Sequence, residues 1–520
     1  MPWRNLHFVT EFSRVNQKKF LKFLKFFEGE GISATAQHLL VEGEKRKDMK
    51  SNDNHFLHKF FYPESVAIVG ASRNPFRPNY HLVDNLVKLG FKGKIYPVHP
   101  EGGDLLGLKV YPNLKTIDDQ IDLAVVSVSY QTTPGLLQEC IEKGIKRVVV
   151  VAGGFSETGE EGRKVQMEMA RLLKEKGVRA IGPNALSPIN PSINFAICFH
   201  PVHKMKSGGL SLIFQSGLYE PRLEWLFSDF NLHLNKLIDL GNKMDINEVD
   251  ALSYLAQDPQ TRVIAIHLEN VEGNGREFFH LIREASRTKH IVVLKSGRTE
   301  AGAKAATSHT GVIVQGSDIV FDAALRQCGA IRAQTIEEFF DLSRALERFG
   351  SLLLPGIRIA LAALPGGEAV IVTDLIQYAG LSLANLGEET LRRLRPVFPP
   401  WEILGNPFDL GVSLQFNDPR KVYNHLLPAV VGDPGVDALA VQIPSRAFVI
   451  PREFFEVFPK ALHAQKPIAV WVAGMESGRK EVLEWLDDQQ VPVFPSPEKI
   501  IKAFSALHRS SLFKLPTESS

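Results

Sequence analysis

The segment of residues 295–311 contains the residues whose types and spacing point most directly to chemistry. It follows an apolar run at residues 290–294 and consists almost wholly of small residues, with one histidine, His309, near its end. Small side chains let a phosphate approach the backbone, and the N–H groups of such a loop point at an anion. Neutral imidazole attacks phosphorus at physiological pH. The pattern predicts a phosphate-binding loop whose His309 carries a phosphoryl group; the alternative is a surface loop with an incidental histidine.

Glu269 is the second candidate catalytic residue. It ends the apolar run at residues 263–268, which places a carboxylate at the ligand-binding edge of a predicted parallel sheet. A carboxylate that accepts a hydrogen bond from one imidazole nitrogen fixes the tautomer and leaves the other nitrogen nucleophilic. The alternative is a solvated glutamate at the end of a strand. His267 is predicted to share the face of Glu269, and we interpret it as structural.

Small residues also follow other apolar runs. Gly70, Ala71 and Ser72 open a loop between a predicted strand and a helix, and Ser216 and Gly217 occupy an equivalent place later in the chain. In doubly wound sheets, ligands bind at the carboxyl ends of the strands, where a helix N-terminus favours phosphate. The Gly-x-Gly-x-x-Gly fingerprint is absent, which disfavours an NAD-dependent dehydrogenase.

Short runs of Val, Ile and Leu alternate with helix-length segments from Ser65 onwards. Such near-continuous apolar runs are typical of parallel sheets covered by helices on both faces. Three arrays are predicted, covering residues 65–181, 210–342 and 356–507. In the first array the predicted strands are residues 65–69, 94–98, 123–128, 147–151 and 179–181.

The composition is that of an ordinary globular enzyme. A chain of 520 residues, with 44% apolar and 23% charged residues, is long enough for three or four domains. The formal net charge of +2 gives no reason to expect nucleic-acid binding. Scattered cysteines (Cys140, Cys198 and Cys328) fit a reducing cytoplasm and argue against structural zinc, and no metal site is predicted. No apolar run approaches the length of a membrane span.

Residues 1–56 differ from the rest as a basic extension. Between Met1 and Phe27 there are six basic residues and one acidic residue. An amphipathic helix there would lie on an anionic membrane surface or act as a targeting segment. We favour an appended helix or a mis-assigned start, with Met49 as the natural beginning.

Several motifs resemble, in order and spacing, those of the NDP-forming acyl-CoA synthetases, the superfamily that includes succinyl-CoA synthetase. The resemblance extends from about residue 60 to about residue 507. It is to an α-type chain, because the ATP-grasp region of the family is not recognisable. The motifs lie at residues 61–72, 182–184, 215–217, 239–243, 258–269 and 295–311.

The resemblance implies an α/β fold: a Rossmann-like CoA-binding domain followed by two flavodoxin-like domains of the succinyl-CoA-synthetase type. The implied order is a basic extension at residues 1–56, the CoA-binding domain at 57–190, the phosphohistidine-bearing domain at 191–352, the second flavodoxin-like domain at 353–511 and a tail at 512–520.

The resemblance also implies roles for individual residues. His309 and Glu269 would be catalytic. The residues implied to contact CoA are Gly70, Ala71, Ser72, Arg77, Ser127, Gly153 and Gly154. The residues implied to contact phosphate are Ser216, Gly217, Thr310 and Gly311. For each residue that follows a strand, taken singly, the alternative to ligand binding is the role of an ordinary turn residue.

The implied reaction converts acyl-CoA, phosphate and ADP reversibly to the acid, CoA and ATP, through an acyl phosphate and phosphohistidine. An ATP-grasp β subunit would bind Mg-ATP or Mg-ADP in an α2β2 assembly. The chain departs from the family pattern at Arg77, Ala185, Ser187 and residues 218–225. These departures keep open an alternative: a regulatory protein that binds CoA or acyl-CoA without turnover.

Overall fold

The computed structural model describes residues 52–203, 205–215, 217, 219, 223–310, 317–364, 366–401, 404–443, 456–462, 465–472 and 480–514. His55–Ser520 form one compact unit. Met1–Asn54 form another, of which only the 3-10 helix Asn52–Asn54 is described, so the predictions for the basic extension lie outside these residues. Within the described residues, no helix combines the length and apolar character needed to cross a membrane.

The first sheet has five parallel strands, and its central strands are buried at every position, as expected for a sheet covered on both faces. The strands of this region are β1 (Ser65–Val69), β2 (Lys94–Val98), β3 (Gly103–Leu105), β4 (Leu108–Val110), β5 (Leu123–Val126), β6 (Arg147–Val150) and β7 (Arg179–Ile181). The helices are α1 (His58–Phe61), α2 (Pro78–Leu89), α3 (Thr133–Glu142) and α4 (Glu160–Glu175). The sheet order is β2-β1-β5-β6-β7, and β3 and β4 pair separately.

The second sheet has seven strands. They are β8 (Ile189–Asn190), β9 (Phe195–Ala196), β10 (Lys206–Phe214), β11 (His233–Asp239), β12 (Val263–Leu268), β13 (His290–Lys295) and β14 (Ile331–Ala333). The helices are α5 (Leu223–Asp229), α6 (Glu248–Gln257), α7 (Gly275–Ser286), α8 (Glu300–Thr310), α9 (Asp318–Gln327) and α10 (Ile336–Phe349). In the order β14-β13-β12-β10-β11-β8-β9, β8 pairs antiparallel with β11. The predicted boundary between residues 190 and 191 therefore falls inside a group of residues that completes the second sheet.

The third sheet contains β15 (Arg358–Ala363), β16 (Ser382–Leu383), β17 (Phe408–Asp409), β18 (Ala438–Gln442), β19 (Ile468–Trp471) and β20 (Val493–Phe494). Its helices are α11 (Gly366–Tyr378), α12 (Glu388–Leu394), α13 (Leu410–Phe416), α14 (Pro419–Val431), α15 (Val457–Ala461), α16 (Lys480–Asp488) and α17 (Pro497–Lys514). The order is β16-β15-β18-β19-β20, with β17 beside β15. Helix α17 packs on α10 and buries Ser510 and Ser511. It ends at Lys514, within the residues predicted as a tail, 512–520.

All three sheets share one strand order. When β17, which pairs parallel with β15, is left aside, the five parallel strands of each sheet follow the order 2-1-3-4-5, a doubly wound arrangement. In such sheets the switch point lies between the first and third strands, and ligands bind there at the carboxyl ends. These pairs are β1 with β5, β10 with β12 and β15 with β18. Gly70 directly follows β1 and Glu269 directly follows β12, so both lie at switch points.

A buried ion cluster joins the second and third domains. Arg344 Nη1 lies 2.6 Å from Asp487 Oδ1, and Arg348 Nε lies 2.8 Å from Asp487 Oδ2. Both arginines belong to α10 and Asp487 to α16, and all three side chains are at most 8% exposed. One apolar core also runs through both domains, with Phe349 packed on Phe504. The two domains therefore pack as a single body.

Candidate functional site

Gly70 makes the turn at the switch point of the first sheet. Its φ is +91°, and a Cβ at this position would overlap the carbonyl oxygen of Ser127. Its N–H donates to the carbonyl oxygen of Val98 at 3.0 Å, so both neighbouring strands fix this turn. Only glycine fits here, because the space of a side chain is filled by Ser127 and Val128. The contact of this turn with CoA stays a prediction.

The amide of Asn79 ties the two strand ends of this turn together. Its Nδ2 donates to the carbonyl oxygens of Gly70 at 3.0 Å and of Ser127 at 2.7 Å. Asn79 lies in the first turn of α2, directly after the exposed Arg77 and Pro78. No role was predicted for Asn79 from the sequence. Its position in the first turn of a helix that follows a strand was the available signal.

The remaining residues implied to contact CoA lie at the same sheet edge. Ala71 is buried, and Ser72 Oγ accepts a hydrogen bond from the N–H of Asn74 at 3.1 Å. Gly153 and Gly154 follow β6, the neighbour of β5. The structure therefore brings together the loops that follow β1, β5 and β6.

Glu157 holds the Gly153–Gly154 turn, a role that the sequence did not reveal. Its Oε1 accepts a hydrogen bond from the N–H of Gly154 at 2.6 Å, and a Cβ on Gly153 would lie 2.9 Å from the same oxygen. The ring of Tyr130 lines the other side of Gly154. The turn is consequently fixed in shape before any ligand arrives.

Gly70→Ala is expected to lower the free energy of unfolding by about 2–5 kcal/mol, because a left-handed φ and a backbone overlap act together. CoA affinity should fall with it. Denaturant titrations with and without CoA measure both effects. Gly90→Ala is the matched control: φ there is +78° and a Cβ meets nothing within 4 Å, so only the smaller backbone cost of about 1–2 kcal/mol should remain. Equal losses in the two variants would contradict the packing argument.

Gln215 anchors the turn that begins at Glu269. Its Oε1 accepts hydrogen bonds from the N–H groups of Glu269 at 2.8 Å and Asn270 at 3.1 Å. Its Nε2 donates to Asn270 Oδ1 at 2.6 Å. Gln215 follows β10 and Glu269 follows its neighbour β12, so the two residues meet across the switch point. Gln215 belongs to the motif at residues 215–217, but no role was predicted for it from the sequence.

Lys295 brings a cation to the same turn. It ends β13, and its Nζ donates to the carbonyl oxygens of Glu269 at 3.2 Å and Ser296 at 3.1 Å. Burial lowers the pKa of the Lys295 ammonium, with the charges of Asp318 and Glu269 among those that oppose the shift. The main chain of Glu269 therefore contacts Gln215, which follows β10, and Lys295, which ends β13. These two strands flank β12, the strand that Glu269 follows.

His267 has the surroundings of a structural residue. Its Nε2 lies 2.7 Å from Ser296 Oγ, and its ring meets the ring of Tyr219 edge-on at 5.4 Å between centroids. Burial lowers the pKa of His267 to about 4, so the ring is neutral at neutral pH. These contacts agree with the structural interpretation and leave Glu269 as the candidate acid–base group.

The loop conformation predicted for residues 295–311 is wrong over most of this length, because Glu300–Thr310 form helix α8. Phosphate binding by this segment stays a prediction. Alanines at positions 301, 303, 305 and 306 favour a helix, and Glu300 favours its first turn. The helix is also capped, since Thr299 Oγ1 accepts a hydrogen bond from the N–H of Gly302 at 3.1 Å. Small side chains suit a helix as well as a loop, which is why the pattern misled.

His309 and Thr310 belong to the last turn of α8. Their side chains lie outside the described residues, as do Gly311 and Ser216. Helix α8 lies beside the 3-10 turn Ser156–Thr158, which contains Glu157. The structure thus places the helix that bears His309 next to the CoA side of the molecule.

The helix expected at Gly217 starts later. Gly217 occupies an exposed turn, and α5 begins only at Leu223. Tyr219 is buried against Phe214, with ring centroids 4.1 Å apart. The role of Gly217 in phosphate binding stays a prediction.

Comparison with protein families assigns both domains that hold these residues. Residues 64–190 match the CoA binding domain, and residues 207–346 match the succinyl-CoA ligase like flavodoxin domain. The first match contains the Gly70 and Gly153 turns, and the second contains Glu269 and His309. The predicted CoA-binding domain and the flavodoxin-like domain that follows it are confirmed.

Curated relatives match nearly the whole chain. The α subunit of acetate–CoA ligase [ADP-forming] I from Pyrococcus furiosus is 36% identical over 470 residues, which are 88% of this chain and 98% of the relative. Acetate–CoA ligase [ADP-forming] II from Archaeoglobus fulgidus is 35% identical over 480 residues, 91% of this chain and 69% of that protein. The chain belongs to the ADP-forming acetate–CoA ligase family. The family resemblance in the motifs is therefore confirmed.

A solved structure of the ADP-forming family agrees. The dinucleotide forming acetyl-coenzyme A synthetase 1 of Ca. Korarchaeum cryptofilum, in complex with phosphate and ADP, superposes with a TM-score of 0.80 at 32% sequence identity. The match covers 88% of this chain and 97% of that chain. The predicted α/β architecture is confirmed over the greater part of the chain.

Proposed function

We propose that this chain is the α-type subunit of an ADP-forming acyl-CoA synthetase. It converts acyl-CoA, phosphate and ADP reversibly to a small carboxylic acid, CoA and ATP. The observation that carries the proposal is the position of Glu269, fixed by Gln215 and Lys295 at the switch point of the flavodoxin-like domain. The ligase names of the relatives favour turnover over a regulatory binder.

In the proposed mechanism a phosphate oxygen attacks the thioester carbonyl carbon, the C–S bond breaks, and CoA leaves as thiolate. The acyl phosphate then meets His309. One imidazole nitrogen of His309 attacks phosphorus and the carboxylate leaves, while the N–H on the other nitrogen donates to Glu269. In the last step an oxygen of ADP attacks the phosphoryl group and the P–N bond breaks.

The protein contributes mainly positioning and electrostatic stabilisation. Ser216, Gly217, Thr310 and Gly311 would offer N–H groups to the phosphoryl oxygens. The turns at Gly70 and Gly153 would hold CoA through backbone groups.

The proposed partner is an ATP-grasp β subunit that binds Mg-ADP or Mg-ATP, in an α2β2 assembly. The subunit name of the Pyrococcus furiosus relative supports a second chain. The Archaeoglobus fulgidus relative is longer than this chain, and the additional part of that protein would supply the same function in cis. Cys140, Cys198 and Cys328 are buried and form no disulfide, which supports a cytoplasmic location.

Phosphoryl labelling tests the proposed function. The chain should take up label from acetyl-CoA with radioactive phosphate, and from Mg-ATP when an ATP-grasp β subunit is present. The adduct should be labile in acid and stable in base, as a phosphoramidate is. Ser308 and Thr310 flank the site, so an acid-stable adduct would indicate a hydroxyl ester instead. A chain that takes no label in either direction would overturn the proposal.

Arg77→Gln is expected to weaken CoA binding by roughly 10- to 150-fold, because a hydrogen bond to a charged group contributes about 1.5–3 kcal/mol. Arg77 is exposed directly before α2, at the edge where Gly70 lies. Calorimetric titration with CoA measures the change. Arg171→Gln, on an exposed face of α4, is the control that removes the same charge elsewhere. If Arg77→Gln leaves the affinity for CoA unchanged, Arg77 is a solvated surface residue that does not contact CoA.

A further inference from the structure

The loop of residues 239–243, which follows β11, is fixed rigidly at the junction of the first two domains. Asp239 Oδ2 accepts a hydrogen bond from the N–H of Leu186 at 3.0 Å. Gly241 has a φ of +55°, and a Cβ there would overlap the carbonyl oxygen of Pro183. The N–H of Asn242 donates to that same oxygen at 2.8 Å. The loop therefore presses closely against a loop of the CoA-binding domain.

Lys243 connects this loop to the turn that begins at Glu269. Its Nζ donates to the carbonyl oxygen of Asn270 at 2.8 Å and to Asn270 Oδ1 at 3.2 Å. It also lies 2.8 Å from Glu248 Oε2, in a pair whose side chains are 2% and 0% exposed. Glu248 Oε1 in turn accepts a hydrogen bond from the N–H of Gly273 at 2.8 Å. Lys243 thus holds the turn directly at Asn270 and, through Glu248, at Gly273.

Asn242 connects the same loop to the CoA side. Its Nδ2 donates to Glu157 Oε2 at 2.6 Å and to Gln166 Oε1 at 3.1 Å. The other carboxylate oxygen of Glu157 accepts the hydrogen bond from Gly154. Lys243 and Asn242 are therefore adjacent residues of one short loop that contact two different turns. Lys243 contacts the turn that begins at Glu269, and Asn242 contacts the Gly153–Gly154 turn through Glu157. The proposed reaction requires these two turns to be aligned with each other.

We propose that the loop of residues 239–243 positions the two reacting centres relative to each other. Lys243 is a positioning residue for Glu269, through Asn270 and Gln215. Asn242 is a positioning residue for the Gly153–Gly154 turn, through Glu157. This inference rests on the proposed function, since it concerns how thioester and phosphoryl acceptor are aligned. A misplacement of about 1 Å is enough to slow such a reaction about 100-fold.

The test for Lys243 is the double variant Lys243→Met/Glu248→Gln. It removes both charges of the buried pair, so no unpaired charge is left to unfold the protein. The rate of His309 labelling from acetyl-CoA and phosphate should fall about 10- to 100-fold at saturating acetyl-CoA. The Kd for CoA should stay at its wild-type value. Loss of rate without loss of affinity is the signature of a positioning role.

A second buried pair, between Lys236 of β11 and Asp258 after α6, provides the matched control. Lys236 Nζ lies 2.7 Å from Asp258 Oδ2, with side chains 1% and 7% exposed. The described contacts of the Lys236 ammonium are with Asn235, Asp258, Tyr62 and Tyr254. Lys236→Met/Asp258→Asn should cost comparable stability, and the folded protein should label at the wild-type rate.

Asn242→Asp tests the other arm with an isosteric change. It sets a carboxylate against Glu157 and should displace the Gly153–Gly154 turn. The KM for acetyl-CoA is expected to rise about tenfold or more, whereas labelling from Mg-ATP, which needs no CoA, should keep its rate.

The outcomes of these experiments distinguish failure of this inference from failure of the proposed function. If the wild type takes no label, the proposed function fails and the inference fails with it. If the wild type labels and the folded Lys243→Met/Glu248→Gln variant labels equally fast, only the inference is overturned. An equal loss of rate in Lys236→Met/Asp258→Asn would also overturn it, because the effect would then come from losing any buried pair.

Discussion

His309→Asn should abolish phosphoryl labelling of the chain and net ATP formation. A carboxamide does not attack phosphorus at neutral pH, and the proposed route has no other carrier between acyl phosphate and ADP. The expected loss of turnover is roughly 10³-fold or more, as is usual when the nucleophile of a covalent mechanism is removed. Label uptake from acetyl-CoA and radioactive phosphate, and ATP formation with a β subunit, measure it.

CoA affinity should be nearly unaffected by His309→Asn, because His309 belongs to α8 of the second domain and the CoA turns belong to the first. Calorimetry on the variant checks this. His280→Asn, at an exposed position of α7, is the matched control and should label normally. Acid-stable label that persists in His309→Asn would point to Ser308 or Thr310 and remove the histidine from the mechanism.

Glu269→Gln should slow His309 labelling by about 10²- to 10⁴-fold, the usual contribution of a positioned acid–base group. A carboxamide still orients the imidazole but does not offset the charge that develops on the ring. The fold should survive, because Gln215 and Lys295 hold Glu269 through its main chain. Quenched-flow labelling at saturating acetyl-CoA and phosphate gives the rate.

Glu277→Gln, in the exposed first turn of α7, removes the same charge nearby and should leave that rate unchanged. Thermal unfolding of both variants provides a check on folding. A wild-type rate in Glu269→Gln would show that this buried carboxylate takes no part in the phosphoryl transfer.

Much of the architecture could be predicted because buried parallel strands are continuous apolar runs. The observed bounds of β1, β2, β7 and β12 equal those predicted, and Glu269 follows β12 as expected. Strands β8 and β9 were missed because each has only two residues, too few for any periodic signal.

The candidate site was less predictable, because its supporting contacts join residues far apart in the chain. Gln215 and Asn270 are 55 residues apart, and Asn242 and Glu157 are 85 apart. Single-sequence patterns report local periodicity and contain no signal for such pairs. The helix at Glu300–Thr310 was missed for a different reason: a segment of small residues suits both a phosphate loop and a helix.

The antiparallel pairing of β8 with β11 has a thermodynamic consequence. Seven residues separate the end of β7 at Ile181 from the start of β8 at Ile189, where the chain enters the second sheet, so we expect the first two domains to unfold together. Free energy released when CoA binds the first domain is thereby shared with the second. At a CoA concentration 100 times Kd, this stabilisation is about 2.7 kcal/mol. Protection of the backbone amides from hydrogen exchange should therefore increase around Glu269 as much as around Gly70.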